Sequence, residues 1–136
     1  MQGLHLTADL RGCALSRPAM TSLDALRAIC LDGVRSAGLV AVGELFHRFA
    51  PGPVGAHMAA AGITGVVLLA ESHLAVHTWP ELEAATLDVY VCNLGADNSA
   101  KAEALLAALL DAFMPTSVER HALQRGSITT LYSVAT

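Results

Sequence analysis

Several features that define other classes of protein are scarce in this chain. Of its 136 residues, 15% are charged, 4% are aromatic and three are cysteines. The eight basic residues form no cluster and the net charge is −4, which argues against a nucleic acid or an anionic membrane as a partner. An odd number of widely spaced cysteines does not fit a disulfide framework and is typical of a reducing cytoplasm.

Long hydrophobic runs are missing too. The longest, around residues 65–70, is far too short to span a bilayer, and the N-terminus has no basic region followed by an apolar stretch. We therefore expect no membrane segment and no signal peptide. With 54% hydrophobic residues, the chain is apolar enough to fold as a single domain over residues 1–136, and we expect part of its surface to be hidden in a dimer.

Hydrophobic periodicity predicts an α/β fold. Helical spacing predicts helices over residues 21–38 and 98–113, and residues 12–20 and 51–62 are predicted to be loops. We expect a two-layer α/β sandwich, with a mainly antiparallel sheet and two helices on one face. The pattern does not give the strand order. Alternation and apolar runs predict strands over residues 3–10, 39–49, 63–70, 73–78, 86–91, 118–123 and 128–134.

The reactive side chains are concentrated in residues 70–81, AESHLAVHTWPE, with Cys92 a short strand further on. The Ser72 hydroxyl can attack the carbonyl carbon of Glu71 and convert the peptide bond into an ester. If a base then removes the Ser72 Cα proton, β-elimination and hydrolysis leave a pyruvoyl group. His77 is the candidate base. Because Ser72 and His77 project to opposite faces of an extended segment, the chain must kink between them for this role.

Simpler interpretations of these residues remain open. Ser72 can be an ordinary turn serine, and Cys92 can be a buried apolar thiol. A zinc site is a further possibility, but no Cys-x-x-Cys pair or helical histidine pair supports it, and we expect no metal. The residues that would supply zinc ligands are His5, His47, His73, His77 and Cys92. Without a metal, His5 and His73 are expected to be hydrogen-bonded polar groups near the site.

The central block AESHLAVHTWPE, followed by TLDVYVCN, closely resembles the prokaryotic S-adenosylmethionine decarboxylase family, the pyruvoyl enzymes of spermidine synthesis. The resemblance covers nearly the whole chain, including GLHLTADL, GELFHRF and RGS. It implies a proenzyme that cleaves itself between residues 71 and 72 into two chains. It also implies a covalent pyruvoyl cofactor derived from Ser72, S-adenosylmethionine as substrate, and a homodimer with active sites at the subunit interface.

The resemblance also implies the roles of individual residues in processing and catalysis. Glu71 and Ser72 form the cleavage site. His77 takes the Ser72 Cα proton, and the Thr64 hydroxyl assists. Cys92 is the acid that returns a proton to the substrate α-carbon after carbon dioxide leaves; a thiol suits this role because it is mostly protonated at neutral pH yet able to transfer its proton.

Three further residues are implied in substrate binding. Glu81 holds the ribose hydroxyls, Phe49 stacks on adenine, and Leu74 lines the same pocket. The chain departs from the family pattern in residues 50–63, which are longer and richer in alanine than the expected Pro/Gly linker, and at Ala70, where some relatives have serine.

Two other functions remain open from the sequence. The same scaffold can serve a pyruvoyl-dependent ornithine or arginine decarboxylase, because Ser72, His77 and Cys92 require only an α-amino acid. A non-catalytic subunit that retains the fold is the other alternative.

Overall fold

A computed structural model of the protein describes residues 2–50 and 61–126, and its strands form one antiparallel sheet. The sheet order is β2-β3-β4-β5-β1-β6, so the antiparallel sheet predicted from the sequence is confirmed. The predicted strand at residues 128–134 and most of the loop at 50–63 lie outside the described residues. The strands are β1 (Gly3–Arg11), β2 (Ala41–Arg48), β3 (Ile63–Leu69), β4 (Ser72–Trp79), β5 (Ala84–Cys92) and β6 (Ser117–Arg125).

The described residues contain three α-helices: α1 (Pro18–Thr21), α2 (Leu23–Ser36) and α3 (Ser99–Phe113). The sequence predicted only the last two, because a single turn is too short to show helical periodicity. Proline opens α1, where its missing N–H costs nothing. None of these helices is both long and apolar enough to cross a membrane.

The two long helices begin with different caps. In α2, the Ser22 side chain accepts a hydrogen bond from the Ala25 N–H. In α3, the N-cap position is Asn98, but its side chain does not cap the helix. The Asp97 carboxylate instead accepts from the Ser99 N–H, and these hydrogen bonds from Ser99 lower the pKa of Asp97. The Asn98 side chain is thereby free for another role, described below.

The core lies between α2, α3 and one face of the sheet. Along each central strand, buried residues alternate with half-buried ones, and the buried set faces the helices. Burying each large apolar side chain contributes about 1.5–3 kcal/mol relative to exposure. Among the largest fully buried side chains are Leu6, Leu10, Leu26, Leu74, Leu87, Leu105, Leu109 and Phe113.

The other face of the sheet, called here the open face, is not covered by any of the three described α-helices. It carries the odd-numbered residues of β1, β2, β4 and β6 and the even-numbered residues of β3 and β5, as the burial pattern and register require. Several of these residues are apolar and exposed, including Leu45, Leu68 and Leu123. An uncovered apolar sheet of this kind fits the expectation of a dimer.

The packing of Gly65 against Phe46 gives a test of the β2–β3 pairing. A Cβ at Gly65 would lie 2.3 Å from the Cδ1 and Cε1 ring atoms of Phe46. We expect Gly65→Ala to displace this ring and lower the free energy of unfolding by roughly 1–2 kcal/mol, measured by urea denaturation. Gly43→Ala is the matched control, because its Cβ would meet only Leu68 at an ordinary 3.5 Å. Equal stabilities of the two variants would contradict the tight packing over Gly65.

Candidate active site

The peptide bond between Glu71 and Ser72 lies at the end of a tight hairpin. Ala70 and Glu71 connect β3 to β4, and Leu69 pairs with Ser72 across the hairpin. Glu71 has a φ of 57°, in the left-handed region, which costs a residue with a Cβ about 1–2 kcal/mol. Backbone strain is therefore stored in the residue whose carbonyl carbon Ser72 would attack.

The Ser72 hydroxyl is held by the end of β5. The Cys92 N–H donates a hydrogen bond of 3.0 Å to Ser72 Oγ. The Asn98 amide donates to the Cys92 carbonyl oxygen at 2.8 Å, which fixes the backbone of Cys92 on its other side. A donor aimed at Oγ stabilises negative charge on that oxygen. Ser72 and Cys92, widely separated in the sequence, are thus brought together as the sequence analysis expected.

The other two cysteines have surroundings unlike that of Cys92. Burial raises the pKa of the Cys30 thiol to about 12, and the nearby charge of Glu44 adds to the effect. Burial, followed by the charge of Glu83, also raises the pKa of Cys13. Both thiols are fully buried, whereas Cys92 keeps 8% of its surface exposed beside Ser72. Of the three cysteines, Cys92 is the one that lies next to Ser72 in the structure.

A second group of predicted residues lies further along the same hairpin, on the open face. Thr64 and His77 pair in register, and Thr64 Oγ1 lies 3.0 Å from His77 Nδ1. His47 pairs with Thr64 from β2, and its ring centre is 4.8 Å from that of Phe49. Glu81 lies beyond β4, in a short 3-10 helix (Pro80–Leu82), and is exposed. The structure thus brings Thr64 and His77 into contact. The exposed Phe49 ring lies beside His47, which in turn pairs with Thr64.

These two groups of residues are far apart within one chain. Ser72 and His77 are five residues apart on the uninterrupted strand β4, a span of about 16 Å. Alternation places their side chains on opposite faces of the sheet. The kink that the sequence analysis required is therefore absent, because β4 keeps its pairing with β3 and β5 along this stretch. His77 does not reach Ser72 of its own chain.

Leu74 is the third predicted site residue on β4. Its side chain is fully buried in the core between the sheet and the helices. Along β4 it points to the face opposite that of His73 and His77, so its role in lining the substrate pocket stays a prediction.

Sequence reasoning missed a polar cluster built around Asp88. Asp88 Oδ1 lies 2.5 Å from His5 Nε2 and 3.3 Å from His73 Nε2. The two histidines are hydrogen-bonded polar groups, as expected, but their shared partner was not identified. The alternation of β1, β4 and β5 gives the face on which each residue lies. Only the strand order, which places β5 between β1 and β4, brings the three together.

Comparisons with known proteins show the family to which the chain belongs. The sequence profile of the S-adenosylmethionine decarboxylase family matches residues 4–126. An S-adenosylmethionine decarboxylase proenzyme from Hydrogenobaculum sp. (strain Y04AAS1) is 33% identical over 126 residues, covering 93% of this chain and 83% of the relative. The proenzyme of the same name from Archaeoglobus fulgidus is 33% identical over 124 residues, covering 91% of this chain and 97% of the relative.

Two solved structures are also similar to this chain. The crystal structure of the adenosylmethionine decarboxylase from Aquifex aeolicus matches with a TM-score of 0.77 and 31% identity, over 93% of this chain and 92% of that one. The Trypanosoma brucei AdoMetDC-delta26 monomer shares the fold at a TM-score of 0.54 and 12% identity, over 86% of this chain and 44% of that one. With a profile match over most of its length and relatives above 30% identity, this chain belongs to the S-adenosylmethionine decarboxylase family.

Proposed function

We propose that this chain is a self-processing proenzyme that, once cut between Glu71 and Ser72, decarboxylates S-adenosylmethionine with a pyruvoyl group derived from Ser72. The activity follows from membership of the family, and the curated relatives described above are named proenzymes. The observation that carries the proposal is the 3.0 Å hydrogen bond from the Cys92 N–H to Ser72 Oγ, directly beside the strained Glu71.

Processing begins with the Ser72 hydroxyl. Oγ attacks the Glu71 carbonyl carbon, the carbon–nitrogen bond breaks, and the acyl group moves from nitrogen to oxygen. The Cys92 N–H stabilises the negative charge on Oγ as the hydroxyl loses its proton. Release of the left-handed backbone of Glu71 favours the forward direction, since cleavage frees this residue from the hairpin.

The second stage removes the Ser72 Cα proton. The electron pair forms a carbon–carbon double bond, and Oγ leaves with the Glu71 acyl group as a carboxylate. Water then adds to residue 72 and displaces its nitrogen as ammonia, which leaves a ketone at the N-terminus of the new chain. The surroundings of Ser72 fit such a group, since the Cys92 backbone N–H lies beside it as a donor. When formed, this carbonyl supplies the electron sink for carboxylate loss.

Within the mature site, Cys92 delivers a proton to the substrate α-carbon. Its backbone is fixed by Asn98 and by the ladder between β5 and β1, so the residue that carries the thiol is held next to position 72. Glu81 and Phe49 are the proposed contacts of the ribose and the adenine; both are exposed, with 51% of Phe49 accessible for stacking. Their distance from Ser72 in one chain points to a second subunit.

A homodimer would supply the contact between His77 and Ser72 that a single chain lacks. In the proposed homodimer the open faces of two sheets meet. The Ser72 side chain points away from its own open face, but Ser72 is the first residue of β4, so Thr64 and His77 of the partner reach it at the end of the β3–β4 hairpin. A two-fold axis then produces two identical sites. The exposed apolar residues of this face, with Leu45 69% and Leu68 50% exposed, become buried in the interface.

No observation favours ornithine or arginine as the substrate over S-adenosylmethionine. The matched family profile and the curated relatives described above all carry the S-adenosylmethionine decarboxylase name. A side-by-side assay of carbon dioxide release from the three amino acids tests this part of the proposal directly.

Substitution of Ser72 tests the cleavage. We expect wild-type protein to separate into two chains on denaturing electrophoresis, the second with a blocked N-terminus, and Ser72→Ala to remain one intact chain because it has no hydroxyl nucleophile. Intact mass spectrometry measures both. Ser16→Ala, at an exposed serine, is the control and should be cut like the wild type. Cleavage of Ser72→Ala at the same bond would show that the assignment is wrong.

Mixing two inactive variants tests the shared site. His77→Ala alone should stay uncut, as should Ser72→Ala. When the two are co-expressed with different tags, each mixed dimer contains one complete site, made of His77 from one chain and Ser72 from the other. With random pairing, about half of the His77→Ala chains should therefore be cut.

The control for the mixing experiment is Asp32→Ala, which should be cut without a partner variant because Asp32 is exposed on α2, on the side of the sheet away from the open face. If co-expression restores no cleavage although mixed dimers are isolated, the shared site is refuted.

Substitution of Cys92 separates processing from catalysis. We expect Cys92→Ala to be cut but to lose decarboxylation by about 100-fold or more in kcat, the usual contribution of a positioned acid. Radiolabelled carbon dioxide release measures the rate, and mass spectrometry counts cut chains. Cys30→Ala, at a buried thiol with a pKa of about 12, should retain the wild-type rate. Full activity of Cys92→Ala would remove Cys92 from the mechanism.

A further inference from the structure

The cluster of His5, His73 and Asp88 on the open face has no role in the proposed reaction. β5 lies between β1 and β4, and both histidines pair in register with Tyr90. Their backbones are therefore about 10 Å apart, yet both rings lean over β5 towards Asp88. One ligand atom from each of the three residues lies within 4.8 Å of the other two.

We propose that His5, His73 and Asp88 form a binding site for a divalent transition-metal ion, with Zn²⁺ as the reference ligand. Both Nε2 atoms point at the same carboxylate oxygen, so the three donor atoms converge on one small volume. Two imidazoles and one carboxylate are a common three-ligand set for zinc, which leaves the fourth position to water. Nitrogen donors favour zinc, cobalt or iron over magnesium and calcium.

The distances fit this ion with a small adjustment. Tetrahedral zinc with bonds of 2.0–2.2 Å separates adjacent ligand atoms by about 3.3 Å. The His73–Asp88 separation is already 3.3 Å. The His5–Asp88 separation of 2.5 Å must open by less than about 1 Å, which a small rotation of the His5 ring provides. Binding replaces the protons that now lie between the rings and the carboxylate.

The surroundings of the cluster also suit an ion that enters from solvent. In the single chain the side chains of His5, His73 and Asp88 are 19%, 38% and 36% exposed, so the site is partly shielded but open until two open faces meet. The Tyr90 ring lies 5.8 Å from the His5 ring and 5.7 Å from the His73 ring, which restricts the positions of both imidazoles. A cation of charge +2 balances Asp88 and leaves the centre with one net positive charge.

Metal content and affinity, measured apart from enzyme activity, test the site. Mature wild-type protein is stripped by a chelator and titrated with ZnCl₂ in a calorimeter. It should bind one Zn²⁺ at this centre per protomer, that is, per pair of cleaved chains. Asp88→Asn and His5→Gln should each lower the affinity by more than about 100-fold, since even outer-shell changes cost 10–100-fold. His121→Gln, an exposed histidine outside the cluster, should bind like the wild type.

A cobalt spectrum of the wild type gives a second readout that depends on no variant. Co²⁺ bound at the proposed site has only nitrogen and oxygen ligands, so we expect visible d–d bands without an intense thiolate-to-cobalt charge-transfer band. Such a charge-transfer band would assign the metal to a cysteine and overturn the proposal. Absence of saturable zinc binding by the wild type would overturn it too, as would unchanged affinity in both Asp88→Asn and His5→Gln.

Discussion

The two-residue period of antiparallel strands is the constraint on which the rest of this structure depends. It sends one set of side chains into the core under α2 and α3 and the other set to the open face. Because Ser72 and His77 differ in parity and are five residues apart, the same constraint separates them within a chain. In the proposed dimer, a site that needs both residues is completed by a second copy, whose open face brings His77 to the hairpin end that carries Ser72.

The sequence predicted the elements whose own residues carry the signal. Alternation located the central strands to within about two residues, and helical spacing predicted α2 and α3. It missed α1, which has too few residues for periodicity. Leu74, implied by the resemblance to line the pocket, is buried in the core of the single chain. Alternation correctly placed Ser72 and His77 on opposite faces, and the kink that contact within one chain would require is absent.

The parts of the site that sequence could not predict depend on the order of strands. Asp88 meets His5 and His73 only because β5 lies between β1 and β4, and strand order is not encoded in the periodicity of any single strand. The Cys92–Ser72 hydrogen bond likewise requires β4 beside β5. Motif resemblance named Ser72 and Cys92 as functional, but the contact that orients the serine is between a backbone N–H and a side chain and is not readable from residue type.

The proposed dimer and the proposed metal site constrain one another through electrostatics. If two open faces pack together, Asp88 is moved from a half-exposed position towards the interior of an interface, where an unpaired carboxylate costs several kcal/mol. A divalent ion bound at the cluster supplies the positive charge that must accompany this carboxylate, because it bonds to Asp88 and to both Nε2 atoms at once. Metal binding at the cluster and association of the two sheets are consequently expected to favour each other.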